Sequence, residues 1–226
     1  VSALIVRFDN PDDRVMGLMK ARDLLASGAC IVMPTDTVYG IACDAFSPDA
    51  VSTLLATKGR GRHMPPPVLI GNVGDASKLV THVPDGARAI MERFWPGGVT
   101  IIFEANPDVE WDLGDTSGTV AIRMPDHPVA LELLSLTGPL AVSSANRTGE
   151  LPALDADEAL AQFGDDVSLY VDAGRVGSLY TGASGNPGST IVDATALATG
   201  GPWKVVRYGV CAIEDLREVA GGEWDL

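Results

Sequence analysis

Three short segments carry the side chains that could do chemistry. The stretch from Pro34 to Gly40 reads Pro-Thr-Asp-Thr-Val-Tyr-Gly, Lys58 and Arg60 flank a single glycine, and Ser143-Ser144-Ala145-Asn146 closes the set. Hydroxyl and amide groups donate hydrogen bonds without charge, Lys is a movable point charge, and Arg grips two oxygens at once, so together they suit a phosphate or carboxylate ligand. Each segment alone reads as well as local structure: a Thr-Asp-Thr turn or a Ser-x-Asn loop is usually a capping device, and Lys-x-Arg is usually a solvated pair. Their combination is what points to a site. The first and third directly follow strand-like runs, where an α/β sheet presents its ligand crevice.

Those runs belong to an alternation of short β-branched stretches and 3.6-period stretches, the pattern of an α/β or α+β domain. Strands are expected over 4–8, 29–33, 68–70, 99–103, 119–124, 140–143, 169–171, 189–192 and 204–207. A first helix, capped by Asp12 or Asp13, carries Val15, Leu18, Met19, Arg22 and Leu25 at three- and four-residue spacing and ends at Gly28. Further helices are expected from Pro48 to Lys58, over 75–94 with a break at Pro84, and over 127–136, 156–163 and 213–219. The glycine-rich stretch Gly174–Gly188 is expected to be the most mobile loop, because its small residues bury little and cost much entropy to fix.

The chain has 226 residues, enough for one sizeable domain over 1–226. Sixteen Lys+Arg against 30 Asp+Glu give a formal net charge of -14, which repels nucleic acid and anionic membranes at long range. The charge is uneven. No acid lies between Asp49 and Asp75, where Lys58, Arg60 and Arg62 fall, whereas from Glu150 onward 13 acids face 4 Lys+Arg. An acidic exterior around a locally cationic pocket for a small anion follows. No apolar run reaches the ~20 residues needed to span a membrane, and Val1–Arg7 has no basic leader, so no membrane and no secretion are expected. Cys30, Cys43 and Cys211 are an odd number without a Cys-x-x-Cys pair, which fits a reducing cytoplasm.

Other chemistries lack their signatures. There is no Gly-Lys dipeptide for a Walker loop, and Gly59-Arg60-Gly61-Arg62-His63-Met64 follows a helix and has Met where a dinucleotide fingerprint needs its third glycine. Gly114–Gly118 is not a nucleophile elbow. His63, His82 and His127 have no metal-pair spacing, so no protein-held metal is expected.

The succession PTDTVYG at 34–40, KGR at 58–60, WPGGVT at 95–100, VAIRMPDHP at 120–128, SSAN at 143–146, STIVD at 189–193 and VVRYG at 205–209 resembles the YrdC/TsaC family, in the family's order from about residue 14 to 210. The resemblance implies a YrdC-like α/β fold, a twisted mixed sheet flanked by helices with a concave ligand pocket, in its short single-domain bacterial form. It implies an L-threonylcarbamoyladenylate synthase, a nucleotidyltransferase that condenses ATP, L-threonine and bicarbonate to threonylcarbamoyl-AMP and pyrophosphate for tRNA N6-threonylcarbamoyladenosine modification. Lys58, Arg60, Ser144 and Asn146 match its catalytic quartet, and with Thr119 and Arg207 its ATP contacts; Thr37, Arg123, Val142 and Ser189 match its threonine contacts. Mg2+ is expected with ATP, held mostly by phosphates and water. TsaD/TsaB/TsaE-type transfer proteins are the implied downstream partners, with tRNA reached indirectly. The alternative from another class is a non-catalytic, YciO-like double-stranded RNA-binding module. A carbamoyl-transfer domain of hydrogenase-maturation type lacks here its accompanying zinc-finger and acylphosphatase segments. Met64 stands where many relatives have asparagine, Leu69 where they have a threonine-contacting histidine, Pro152 for a serine and Gly188 for a glutamate, with His63 or Arg62 as candidate substitutes.

Overall fold

Alternating side chains in the strands decide which groups meet which layer. A computed structural model describes residues 3–8, 11–180 and 184–226. Its strands are β1 (Leu4–Arg7), β2 (Ile31–Met33), β3 (Gly40–Asp44), β4 (Val68–Leu69), β5 (Val99–Glu104), β6 (Thr119–Arg123), β7 (Leu140–Ser144), β8 (Leu169–Asp172), β9 (Thr190–Asp193), β10 (Trp203–Arg207) and β11 (Trp224–Asp225). They form one mixed sheet in the order β1-β8-β2-β3-β7-β4-β6-β5-β9-β10-β11. Helices α1 (Pro11–Ala26), α2 (Pro48–Lys58), α3 (Val73–Leu79), α4 (Asp85–Phe94), α5 (Pro128–Thr137), α6 (Ala156–Phe163) and α7 (Ile213–Ala220) flank it.

One face is covered along the sheet by a large core. Val32, Ile41, Ala141, Ile101, Phe103, Val120, Ile122 and Val192 point into it, against side chains such as Leu54, Ile90, Phe163 and Leu216 from α2, α4, α6 and α7. Their sequence neighbours Ile31, Met33, Ala42, Leu140, Val142, Leu169 and Val171 point the other way, into a second cluster closed by Leu18, Ala21 and Leu25 of α1 and Val129, Ala130, Leu133 and Leu134 of α5. This second cluster takes nothing from β5, β6, β9 or β10 among the described residues. Helices therefore cover only half of that face. The uncovered half carries Thr100, Ile102, Thr119, Ala121, Arg123 and Ile191, and there the cavity opens.

The expected elements form close to their predicted bounds, with instructive differences. Strand β3 was not foreseen: Gly-Ile-Ala-Cys-Asp has no polar alternation because its first four residues are all buried. Strand β11, two residues long, and the 3-10 turns at Gly164–Asp166 and Thr195–Thr199 were also absent from the sequence reading. Helix α1 begins already at Pro11, so Asp13 lies in its first turn rather than capping it. It buries Leu18, Ala21 and Leu25, whereas Val15 and Met19 are exposed, because only a narrow stripe meets α5. Of the stretch Gly174–Gly188, residues 181–183 lie outside the described residues. No helix of the described residues is long and apolar enough to cross a membrane.

Two glycines set the ends that matter. Gly59 stops α2 in the left-handed conformation at φ 68°, its N–H capping Ala56 O, and so turns Arg60 away from the helix axis. Gly209 ends the β10 connection so close to the chain before β9 that a Cβ there would lie 2.3 Å from Ser189 C and 2.4 Å from Gly188 O. Those obstacles are backbone atoms and cannot rotate away. Gly209→Ala is expected to cost about 1–3 kcal/mol, a fall of roughly 3–10 °C in thermal midpoint readable by calorimetry; an unchanged midpoint would refute this packing.

Candidate active site

The cavity of about 390 Å³ is lined by residues from the 34–40 loop, from Arg60 to Leu69, from β5, β6, β7 and β9, and from the end of β10. Arg60, Arg123 and Arg207 all face it, and no lining residue among those described is an acid. Three cations thus share a space with no carboxylate on its walls.

Each arginine is held by neighbours already in place. Arg123, 6% exposed at the end of β6, donates through Nε to Gly97 O at 2.9 Å, through Nη1 to Thr37 Oγ1 at 3.0 Å and through Nη2 to Asp36 Oδ1 at 2.5 Å. A guanidinium has five N–H groups, so these three bonds leave two of them uncommitted. Asp36 sits behind that wall, with Oδ1 also accepting from Asp126 N at 3.0 Å and Oδ2 from the Tyr180 hydroxyl at 2.7 Å. Burial and the Asp36 charge push the Tyr180 phenol well above its ordinary range, so it stays a proton donor to the carboxylate.

Arg207 donates to Ser189 O and Ser189 Oγ, each at 2.9 Å, and Ser189 Oγ lies 2.8 Å from Thr100 Oγ1. A register shift between Val205 and Arg207 in the β9–β10 pairing explains why Val206 and Arg207, adjacent in sequence, both line the cavity. Burial, then the charges of Arg123 and Arg60, bring the Arg207 guanidinium down to about 10. Arg60 donates through Nη1 to Ser143 Oγ at 2.9 Å, while its buried Nε has no partner. Burial lowers its affinity for a proton as well. A buried N–H without a partner is costly, so this nitrogen is open to a hydrogen-bond acceptor.

The structure brings together most of the residues expected at the site. Thr37, Arg60, Thr119, Arg123, Val142, Ser144, Ser189 and Arg207 line the one cavity. Thr119 Oγ1 donates to Thr116 O at 2.8 Å, and Val142, expected to touch threonine through its backbone, has its N–H given to Pro67 O at 2.8 Å. Lys58 and Asn146 do not line it. Lys58 is wholly buried, with Nζ donating to Ser144 O, to Asn146 O at 2.7 Å and to Asn146 Oδ1 at 3.5 Å. Burial and the charge of Arg60 pull this ammonium down to about 7, and the three surrounding oxygens act in the opposite sense. Expected to reach the ligand's phosphates directly, Lys58 instead lies one layer behind the wall.

Met64, Leu69, Pro152 and Gly188 are all on the wall, making it more apolar than four polar groups would. Neither suggested substitute lines it. Arg62 turns outward to Asp112, at 2.7 and 3.1 Å, and to Asp115 at 3.3 Å, tying the 59–67 segment to the 111–116 loop. His63 is exposed. Sequence reasoning gave no role to Asp36, although the quoted 34–40 motif contained it: an acid expected to repel an anion is here sequestered against Arg123. Tyr180 was missed because a lone Tyr in a glycine-rich stretch carries no periodic signal.

Residues 23–209 match the family model of Sua5, YciO and YrdC proteins, described as "Telomere recombination". The chain belongs to the Sua5/YciO/YrdC family. A Mycobacterium tuberculosis member, provisionally named a threonylcarbamoyl-AMP synthase, is 46% identical over 212 residues, covering 94% of this chain and 93% of that protein. The threonylcarbamoyl-AMP synthase of Rattus norvegicus is 34% identical over 208 residues, 89% of this chain and 70% of that one. The crystal structure of P. abyssi Sua5 complexed with L-threonine superimposes with a TM-score of 0.85 at 27% identity, covering 100% of this chain. This chain spans 63% of the length of that Sua5 structure. The family's sheet with its concave pocket is thus the architecture seen here.

The buried Asp36–Arg123 pair, at 0% and 7% side-chain exposure, can be tested on its own. Asp36→Ala leaves the guanidinium buried without a counter-charge and is expected to destabilise the ligand-free protein by about 3–5 kcal/mol in denaturant unfolding; a change below ~1 kcal/mol would show that Arg123 does not depend on it.

Proposed function

We propose that the cavity is the catalytic site of an L-threonylcarbamoyladenylate synthase acting on ATP, L-threonine and bicarbonate. The observation that carries this reading is the convergence of Arg60, Arg123 and Arg207 on one acid-free cavity. The relatives' names and the Sua5 complex with L-threonine support threonine as a substrate and threonylcarbamoyl-AMP as the product; bicarbonate is assigned from the chemistry of the carbamate.

The reaction has to bring two anions together. Threonine's amine adds to the bicarbonate carbon, with loss of water, to give a carbamate. A carbamate oxygen then attacks the α-phosphorus of ATP, a P–O bond forms, and the Pα–O–Pβ bond breaks to release pyrophosphate. Cations fixed where charge gathers contribute most to such a step. Arg123, with two N–H groups uncommitted, is assigned to the threonine carboxylate, beside Thr37, Ser189 and Val142. Arg60 is assigned to the phosphates, with Arg207 and Thr119 completing the nucleotide contacts; Ser144, whose hydroxyl proton is given to Asn146 Oδ1, borders them.

Among the described residues no cluster of His, Cys, Asp or Glu is arranged to hold a metal ion. Mg2+ is assigned to the ATP phosphates and water, where it would offset their charge. The adenylate is assigned to the cytoplasm, for transfer by TsaD/TsaB/TsaE-type proteins to tRNA. A net charge of -14 disfavours autonomous binding to RNA.

Purified protein with ATP, bicarbonate and labelled threonine is expected to release pyrophosphate and form an acyl-adenylate. Valine, which leaves the hydroxyl's partners unpaired, is expected to react at least about a hundredfold less efficiently. No threonine-dependent product, with salt-sensitive retention of tRNA, would instead support the RNA-binding module.

A further inference from the structure

Lys58 and Arg60 belong to one short motif, yet the structure gives them different surroundings. Arg60 is on the cavity wall with a free Nε, whereas the Lys58 side chain is fully buried and does not reach the wall. An ammonium has three N–H groups. All three are directed at oxygens of one short segment, Ser144 O, Asn146 O and Asn146 Oδ1. The main chain of Lys58 holds the next residues too, its carbonyl accepting from Thr148 N at 3.0 Å and Thr148 Oγ1 at 2.9 Å.

Asn146 is equally committed. Its Oδ1 accepts from Ser144 Oγ at 2.5 Å as well as from Lys58, and its Nδ2 donates to Arg147 O at 2.9 Å and Glu150 O at 3.0 Å. Ser144 is the member of this group that lines the cavity.

We infer that Lys58 is a positioning residue: it fixes the 144–150 segment from behind and leaves contact with the anionic ligand to Arg60. Its location at the end of α2 matters physically. Carbonyl oxygens facing the cavity would repel phosphates, and an ammonium behind the wall draws those of Ser144 and Asn146 toward itself. A neutral side chain of similar length cannot satisfy three acceptors, and leaving them buried and unpaired is costly. Assigning the cavity's ligand as ATP rests on the proposed synthase reading; the packing role does not.

The test compares Lys58→Met with Arg60→Ala, reading amide hydrogen exchange over 144–150 in the ligand-free protein and ATP affinity by titration calorimetry. Lys58→Met is expected to speed exchange in that segment at least about tenfold, an effect restored toward wild-type by Lys58→Arg. Arg60→Ala is expected to leave ligand-free exchange unchanged and to weaken ATP at least about tenfold. Wild-type exchange in Lys58→Met with ATP affinity lost as in Arg60→Ala would overturn the inference. Should Lys58→Met fail to fold, the ammonium signal of Lys58 in wild-type 15N spectra decides: a resonance that keeps its position on adding ATP supports the positioning role, and one that shifts as a phosphate contact would contradicts it. If the wild-type protein makes no adenylate, the synthase reading fails, while ligand-free exchange still decides the role of Lys58.

Discussion

Repulsion among three guanidinium groups in a cavity without a carboxylate is the constraint around which the site is built. Arg60, Arg123 and Arg207 come from a helix-end loop, a strand end and a bulged strand, and nothing local holds them together. Burial lowers the proton affinity of Arg207 most, and the charges of Arg123 and Arg60 lower it further. Among the described residues Arg123 alone of the three has a carboxylate partner, Asp36, which approaches it from behind the wall. The counter-charge steadies one arginine and leaves the cavity open to anions.

The scaffold supplies what the arginines cannot. Because α1 and α5 close just half of one sheet face, strands β6, β5 and β9 present alternate side chains to solvent while their neighbours stay in the main core. Precision therefore comes from a well-packed layer directly beneath the site, which is how a few charged groups can be kept in register. The 34–39 connection and the 144–150 segment are tied down by internal hydrogen bonds: Thr35 Oγ1 bonds Val38 O at 2.6 Å in the first, and Lys58 with Asn146 organises the second.

Much of this could be read in the sequence for definite reasons. The 119–124 and 99–103 runs read as strands by their β-branched residues, and a strand at 119–124 puts Arg123 opposite Val120 and Ile122. Lys58 and Arg60 stood out by residue type and by an acid-free stretch, Ser144 and Asn146 by residue type directly after a strand-like run. What sequence could not supply was depth. Lys58 and Arg60 lie two apart around a helix terminus, and only the turn at Gly59 sends one inward to backbone oxygens and the other to the cavity. Asp36 looked wrong for an anion site until its burial was known, and β3 gave no signal because a short, fully buried strand lacks alternation. Distant ties such as Tyr180 to Asp36, 144 residues apart in sequence, are set by tertiary packing alone.

A cavity that crowds unpaired cations should be less stable empty than when one of them is neutral, a trade of stability for function. The most direct measurement is the thermal midpoint of wild-type protein and Arg60→Gln, each with and without ATP. Arg60→Gln is predicted to match or exceed the wild-type midpoint when ligand-free and to lose most of the rise that ATP produces. A lower ligand-free midpoint with the ATP-induced rise intact would contradict the account, because Arg60 would then be a structural group rather than a cation awaiting its anion.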